Sequence, residues 1–345
     1  MAVYWLLFLF PALALLSPYR LTAGGQRIVW LLCASVFVLF IGFRHEVGGD
    51  WFAYEDHFRH IARLTFVDAL QFGDPGYYGL SWLVSEWGGN IYVLNAVCAA
   101  VVVAGVAVFA RDLPQPWLAF LVAVPYLIVV VAMGYTRQSV ALGLAMIGLA
   151  ALRRERVAKF VLWVLVAALF HKTAVLLLPI AALAATRRRV WTWTWVAITT
   201  AAGAALLLFD DSDTLWRNYV EADYESQGGL IRVVMNAFPA ILYLSFRKRL
   251  LVGEQERKLW FWLSVFSLAC IPLVLISSTA TDRVALYFIP IQMFVFAHLH
   301  RLAKSTQGRT SLVVAVVAYC AAILYVWTNY AAHAEYWVPY HFMPL

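Results

Sequence analysis

Long apolar runs separated by short polar segments dominate this chain of 345 residues. A helix needs ~20 mostly apolar residues to cross the hydrocarbon core of a bilayer. The runs predict twelve membrane-spanning helices, near residues 2–17, 27–43, 91–110, 116–134, 137–152, 157–170, 173–185, 191–209, 231–246, 259–277, 284–299 and 310–328. Two short runs meet at His171-Lys172, so residues 157–185 could instead form a partial hairpin that leaves ten spans. We therefore predict an all-α polytopic membrane protein whose residues 1–345 form a single membrane domain.

Composition supports this fold class. Hydrophobic residues make up 63% of the chain and charged residues 13%, with a mean hydropathy of +0.77. A soluble domain is nearer ~45–50% apolar and ~25% charged. Lipid requires each segment to satisfy its own backbone hydrogen bonds, which favours helices. The four cysteines all fall inside apolar runs, where they resemble small hydrophobic residues more than disulfide or metal ligands.

Basic residues concentrate in alternate loops. One set of loops contains 18 of the 26 Lys and Arg but only four of the 19 acidic residues. The positive-inside rule assigns this set to the cytoplasm. Both termini are then expected outside, in the periplasm, and the first run is expected to be a retained span. The positive excess is thus a topology signal, and it does not indicate nucleic-acid binding.

Two long loops fall on the outer face. Residues 44–90 include a stretch whose apolar residues recur at three- and four-residue spacing, which predicts an amphipathic helix at the membrane interface. Residues 210–230 are acidic and polar, and we expect an exposed loop or lid there. These periplasmic loops are where the candidate chemistry begins.

Five basic residues lie at the outer ends of predicted spans. A charge at the centre of a membrane helix costs ~2.5–3.5 kcal/mol, so several such residues suggest a use. Gathered on one face, they predict binding of an anionic phosphate group. The candidate phosphate-binding residues are Arg44, Arg137, Lys172, Arg232 and Arg283. The alternatives are that Arg44 pairs with Asp50 and that Arg137 snorkels to the interface.

Acid–base candidates accompany these cations. The Gly48-Gly49 pair permits a tight turn that would present Asp50 at the membrane surface, with Tyr54 one helical turn later. His171 has the side chain best suited to proton exchange near neutral pH.

Two supporting residues flank Arg283, because Asp282 is placed to cap a helix and Tyr287 follows one turn on. No metal or other cofactor is predicted. Asp211-Ser212-Asp213 is interpreted as part of a solvated loop, and His45, His57 and His60 lack partners at metal-binding spacing.

Four blocks in order resemble the EpsG/Wzy-like family of bacterial polysaccharide polymerases. They are R-x-x-x-G-G-D-W-x-x-Y from Arg44, T-R-Q-S-V-A at 136–141, H-K-T-A at 171–174 and D-R-x-x-x-Y-F from Asp282. The C-terminal WVPY at 337–340 is also similar to such proteins. The resemblance covers about residues 40 to 290.

The resemblance implies a GT-C-like fold and a task. Such polymerases transfer a glycan from undecaprenyl diphosphate to the non-reducing end of a lipid-linked repeat unit, on the outer face of the bacterial inner membrane. It also implies partner proteins, namely a flippase and a chain-length regulator, besides the lipid-linked oligosaccharide and the bilayer.

A mechanism follows from the residues. Cations would stabilise the diphosphate leaving group in place of a metal ion. A general base would deprotonate the acceptor hydroxyl, with His171 as first choice and Asp50 as second.

Two other classes remain open. One is an O-antigen ligase or another glycosyltransferase that uses the same lipid. The other is a transporter, although the charges lie at one face and no internal repeat is visible.

Overall fold

A computed structural model describes residues 1–19, 21–184, 228–250 and 252–343, together with a few isolated positions between 190 and 201. The predicted span 191–209 and the acidic loop 210–230 therefore lie almost wholly outside the described residues. The same holds for the loop at 186–189 and for Asp211-Ser212-Asp213.

Helices account for most of the described chain. In the first part these elements are α1 (Ala2–Leu16), α2 (Ala23–Gly42), β1 (Arg44–His45), α3 (Trp51–Ile61), α4 (Phe66–Gln71), α5 (Pro75–Glu86), α6 (Ile91–Arg111), α7 (Pro116–Ala123), α8 (Thr136–Arg153), α9 (Val157–Phe170) and α10 (Leu178–Ala184). A π-helix over Val124–Ala132 continues α7, and a 3-10 helix over Lys172–Leu177 precedes α10.

The second part continues in the same way. Its elements are α11 (Gly229–Phe246), α12 (Glu254–Val274), α13 (Ser278–Ala285), α14 (Ile289–Leu299), α15 (Thr306–Tyr330) and β2 (His341–Phe342). Short 3-10 helices lie at Leu286–Phe288, His300–Leu302 and Ala334–Tyr336.

Six helices of the described chain are long and apolar enough to cross a membrane. They are Ala23–Gly42, Ile91–Arg111, Gly229–Phe246, Glu254–Val274, Ser278–Leu302 and Thr306–Tyr330. Four shorter apolar helices accompany them, at Ala2–Leu16, Pro116–Ala132, Val157–Phe170 and Lys172–Ala181. The predicted all-α membrane protein is confirmed at this level, whereas the count of 10–12 spans and the GT-C-like arrangement stay predictions.

The loop after α2 is more broken than the sequence indicated. We expected one amphipathic helix over residues 51–72, but these residues form two helices, α3 and α4, and α5 follows from Pro75. A separate helix begins after Thr65, because its Oγ1 accepts a hydrogen bond from the backbone N–H of Asp68 and so caps the start of α4. Pro75 in the first turn of α5 favours the start of that helix.

The described chain divides into two compact units. The first comprises residues 1–144, 169–171 and 313–345, and the second comprises residues 145–168 and 172–312. This division concerns packing along one chain, and the single membrane domain stays a prediction. The candidate residues are distributed over both units.

Close helix packing holds the first unit together. A Cβ at Gly42 of α2 would come 2.5 Å from the Cα of Ala96 in α6. Likewise a Cβ at Gly105 of α6 would come 2.1 Å from the carbonyl oxygen of Gly143 in α8. Small residues that let helix backbones approach are typical of membrane helix interfaces.

The C-terminal segment returns to the start of the loop that follows α2. Strands β1 and β2 pair antiparallel, with Arg44 opposite Phe342. The backbone N–H of Gly48 donates to the carbonyl of Tyr336 at 2.8 Å, and the hydroxyl of Tyr340 donates to the carbonyl of Phe40 at 2.7 Å. The C-terminal segment is thus a structural part of the Arg44–Gly48 region.

The second unit has a polar bridge in its core. Asn236 of α11 donates from Nδ2 to the carbonyl of Ala285 at 2.7 Å, and Gln292 donates from Nε2 to Oδ1 of Asn236 at 2.7 Å. Both side chains are buried, at 2% and 4% exposure. Ala285 ends α13 where the 3-10 turn begins, so the bridge satisfies a carbonyl at a break in the helix.

Candidate active site

Gly48 shapes the turn that follows Arg44. Its φ of +106° is a conformation that residues with a Cβ rarely adopt. A Cβ there would also come 2.3 Å from the carbonyl oxygen of Met133. Gly49 differs, since its nearest neighbour would be Tyr336 at 4.0 Å. Only the first of the two predicted turn glycines therefore has a steric need to be glycine.

Arg44 is held inside the first unit. Its side chain is 2% exposed. Its Nε donates to the carbonyl of Val47 at 3.1 Å, Nη1 to the carbonyl of Ile41 at 2.6 Å, and Nη2 to Oγ1 of Thr136 at 3.0 Å. We expected Arg44 to bind phosphate or to pair with Asp50, but this setting favours a positioning role. Its bond to Thr136 ties the first block to the residue before Arg137.

A π-helix leads into Arg137. The indole Nε1 of Trp337 donates to the carbonyl of Val129 at 2.8 Å. A Cβ at Gly134 would come 2.6 Å from Cζ2 of the same indole, so glycine is needed for this contact. The wide turns of the π-helix and the packed indole of Trp337 hold the chain in place where it enters α8. Segments of π-helix are often found near functional sites.

Arg137 is the best-defined cation of the first unit. Its Nη1 donates to Oδ2 of Asp74 at 2.9 Å, and its side chain is 33% exposed. The guanidinium carbon lies 6.0 Å from the ring centre of Tyr54 and 5.7 Å from that of Tyr78. Its Nε is buried and has no hydrogen-bond partner within the described residues. Asp74 thus orients the guanidinium, while a third of the side chain stays exposed.

Tyrosines surround this guanidinium. The hydroxyl of Tyr54 accepts a hydrogen bond from the backbone N–H of Arg137 at 3.5 Å. Burial raises the pKa of Tyr54, Tyr77 and Tyr78. These phenols therefore remain protonated and uncharged near neutral pH.

The two predicted bases occupy different positions in the first unit. Asp50 is exposed and stands directly before α3, and the backbone N–H of Tyr54 donates to its carbonyl at 3.0 Å. His171 follows the end of α9 and is half-buried. A Cβ at Gly76 would come 2.9 Å from Cβ of Leu169, so the segment that leads to His171 lies beside the start of α5. That start carries Asp74, the partner of Arg137.

Arg232 and Asp282 form an ion pair in the second unit. Nε of Arg232 lies 2.6 Å from Oδ1 of Asp282, and the two side chains are 11% and 10% exposed. We predicted Asp282 as a helix cap, but this is wrong, because α13 begins at Ser278 and Asp282 lies inside it. Arg232 was predicted to bind phosphate, and in this setting it also neutralises a buried carboxylate.

The remaining predicted residues also lie in the second unit. Oγ1 of Thr173 donates to the hydroxyl of Tyr287 at 3.4 Å, which brings the H-K-T-A block and the D-R-x-x-x-Y-F block together. Tyr287 is buried at 2% exposure. Lys172 is half-buried and Arg283 is exposed. Tyr287 thus supports the packing between the two blocks that carry these cations.

Three functional candidates were not found from the sequence. Asp74 and Tyr78 contact Arg137, and Asn236 fixes the break after Asp282 and Arg283. Asp74 stands directly before Pro75, and nothing in the sequence singled it out as a partner of Arg137. Among the described residues, no three His, Cys, Asp or Glu side chains gather in a way that could hold a metal ion.

Comparison with known proteins identifies the family. A model of the EpsG family matches residues 27–342. No curated protein and no solved structure matches the chain. The matched range contains all four sequence blocks and the candidate residues of both units. The EpsG family suggests a glycosyltransferase-like polymerase of polysaccharide biosynthesis in the membrane. This chain belongs to the EpsG family.

Proposed function

We propose that this protein is a polysaccharide polymerase that uses undecaprenyl-diphosphate-linked oligosaccharides on the periplasmic face of the bacterial inner membrane. It transfers the growing glycan from its lipid diphosphate to the non-reducing end of another lipid-linked repeat unit. Family membership supports the polymerase class. The single observation that carries the site is the arrangement of Arg137 on Asp74, Tyr54 and Tyr78.

Arg137 is suited to bind a diphosphate. A guanidinium has five N–H donors in a planar fork, and a diphosphate presents oxygens that match this geometry. Asp74 orients one edge at 2.9 Å, and a third of the side chain is exposed. A fork held in place before binding loses less rotamer freedom on binding, which favours affinity.

The chemistry needs positive charge at the leaving group. Breaking the bond between the anomeric carbon and the diphosphate oxygen leaves negative charge on the diphosphate. Donors fixed before the reaction stabilise that charge. Lys172 and Arg283 stay predicted phosphate ligands from their sequence positions. Arg44 and Arg232 are assigned positioning roles, because their guanidinium groups are engaged within the fold.

A base must take the proton of the acceptor hydroxyl. The acceptor oxygen forms a bond to the anomeric carbon as the bond to the diphosphate breaks, and the hydroxyl proton passes to the base. His171 is our first choice, because its segment lies beside the start of α5 near Asp74. Asp50 is the second choice. We propose that the cations make the transfer independent of a metal ion.

The test is polymer formation by purified protein. The substrate is the lipid-linked repeat unit that accumulates in cells lacking this protein, and products are resolved by length on a gel. Wild-type protein is expected to form polymer in excess chelator. Arg137→Ala and His171→Ala are expected to form none, with Arg154→Ala on the cytoplasmic loop as the control that keeps activity.

Three outcomes would overturn this assignment. Activity that is lost in chelator and restored by Mg²⁺ or Mn²⁺ would contradict the metal-independent mechanism. Wild-type protein that makes no polymer but moves lipid-linked units across vesicle membranes would indicate a transporter. Transfer only to lipid A core would indicate a ligase.

A further inference from the structure

Four side chains form an aromatic platform next to Arg137. They come from α3, from the residue after α4 and from α5, all in the first unit, and they are His57, His60, Phe72 and Tyr78. The ring of Phe72 lies 4.9 Å from that of Tyr78, 5.6 Å from that of His57 and 5.2 Å from that of His60. Nδ1 of His57 lies 3.4 Å from the hydroxyl of Tyr78.

The platform is accessible at Phe72 and His60, and its His57 ring is uncharged at neutral pH. Phe72 is 41% exposed and His60 is exposed. Burial and then the nearby charge of Arg137 lower the pKa of His57, so its imidazole is neutral. Aromatic faces with polar ring edges offer both an apolar surface and hydrogen-bonding groups. A sugar ring has the matching pattern, with an apolar C–H face and hydroxyls at its rim.

Tyr78 connects the platform to Arg137. Its ring lies 5.7 Å from the guanidinium carbon of Arg137, and its hydroxyl contacts His57. A diphosphate bound by Arg137 carries its sugar one bond away. The next surface along α3 and α5 is therefore the place where that sugar must lie.

We propose that the aromatic platform binds the sugar ring that is bonded directly to the lipid diphosphate. This subsite rests on the proposed function of Arg137. Phe72 provides the apolar face, and His57 and His60 provide hydrogen bonds to the hydroxyls. The platform thereby distinguishes a sugar-bearing lipid from the bare lipid diphosphate that remains after transfer.

Membrane insertion is the competing use of an exposed phenylalanine. α4 offers a matched control, because Phe66 is also 41% exposed but its ring packs on Trp82 at 5.1 Å. A role in insertion predicts the same effect for both phenylalanines. A sugar subsite predicts an effect for Phe72 alone.

The experiment compares two lipids in detergent. The probes are undecaprenyl diphosphate and the lipid-linked repeat unit isolated from cells lacking the protein, and the readout is the dissociation constant. Phe72→Ala is expected to weaken binding of the repeat unit about tenfold, as loss of one aromatic contact implies, and to leave binding of the bare diphosphate within about twofold. Phe72→Trp should retain binding, Phe72→Leu should not, and Phe66→Ala should change neither affinity.

The outcomes separate this proposal from the proposed function. Equal affinities in Phe72→Ala and wild type, or an equal loss for both lipids, would overturn the sugar subsite. Full retention by Phe72→Leu would also overturn it, because an apolar side chain without a ring would then suffice. An Arg137→Ala protein that binds both lipids normally would instead contradict the diphosphate site.

Discussion

Arg137 and Asp74 are joined by a hydrogen-bonded ion pair between Nη1 and Oδ2 at 2.9 Å, although 63 residues separate them in the chain. The pair links the start of α8 to the start of α5. Asp74 orients the guanidinium, and the ring of Tyr78 lies beside it. The direction in which Arg137 presents its remaining donors therefore depends on a residue that does not itself bind an anion.

Replacing Asp74 with Asn tests this orientation. The amide keeps the size of the side chain but removes the negative charge, and a hydrogen bond to a charged group contributes about 1.5–3 kcal/mol. We expect at least tenfold lower kcat in polymer formation, with Arg137 still present. Glu86→Gln at the end of α5 is the matched control. Equal activity of Asp74→Asn and wild type would show that Arg137 needs no orienting carboxylate.

Gly48 and Gly49 provide a second comparison. Gly48→Ala places a Cβ 2.3 Å from the carbonyl oxygen of Met133 on a backbone with φ of +106°. Strain of this kind costs about 1–3 kcal/mol before any clash is counted. We expect a clear drop in the melting temperature and loss of polymer. Gly49→Ala has no neighbour closer than 4.0 Å and should behave like wild type. Two variants of equal stability would contradict the described turn.

The pair of Arg232 and Asp282 predicts non-additive mutations. Each single change, Arg232→Met or Asp282→Leu, leaves one buried charge without its partner, which costs about 3–5 kcal/mol. The double variant removes both charges, so its melting temperature should lie above that expected from the sum of the two single losses. Thermal unfolding in detergent measures this coupling. Additive losses would mean that the two side chains do not depend on each other.

Much of the fold could be predicted from the sequence, because lipid imposes a strong pattern on it. Run lengths located α6 and α15 to within a few residues, and the order of the four blocks indicated the family that the comparison confirmed. The break between α3 and α4 was missed because it depends on the local cap at Thr65. The spacing of apolar residues at three to four positions gives no information about helix caps.

The candidate site was predicted less completely. Arg137 was identified from its place at a span end, but its partner Asp74 lies 63 positions away in the sequence and was not identified. Arg44 appeared equally suitable, yet the fold uses its donors for two carbonyls and Thr136. Sequence position shows where a cation enters the membrane region. It does not show which groups will occupy its donors.

Protonation of His57 should affect stability at mildly acidic pH. Burial and the charge of Arg137 lower its pKa in the folded protein, His60 acts in the same direction, and Asp56 opposes them. Below the ordinary pKa of about 6.5 the unfolded chain takes up a proton that the folded chain resists. Stability should therefore decrease as the pH falls through that value and be insensitive to His57 above it.

The measurement is the melting temperature between about pH 5.5 and 8, across the ordinary histidine pKa. His57→Gln cannot take up this proton, so the decrease at low pH should be smaller than in wild type. His333→Gln, near the C-terminus, serves as the control and should keep the full decrease. An identical pH profile for His57→Gln and wild type would contradict the buried, neutral imidazole.

We propose that the Arg137 guanidinium binds a lipid diphosphate through its planar fork. The most direct measurement is the affinity of purified wild-type, Arg137→Lys and Arg137→Ala proteins for undecaprenyl diphosphate, with undecaprenyl monophosphate as the comparison. We predict that wild type prefers the diphosphate, that Lys weakens this binding because it supplies only a point charge, and that Ala abolishes the preference. Equal diphosphate affinity in all three proteins would contradict diphosphate binding by Arg137.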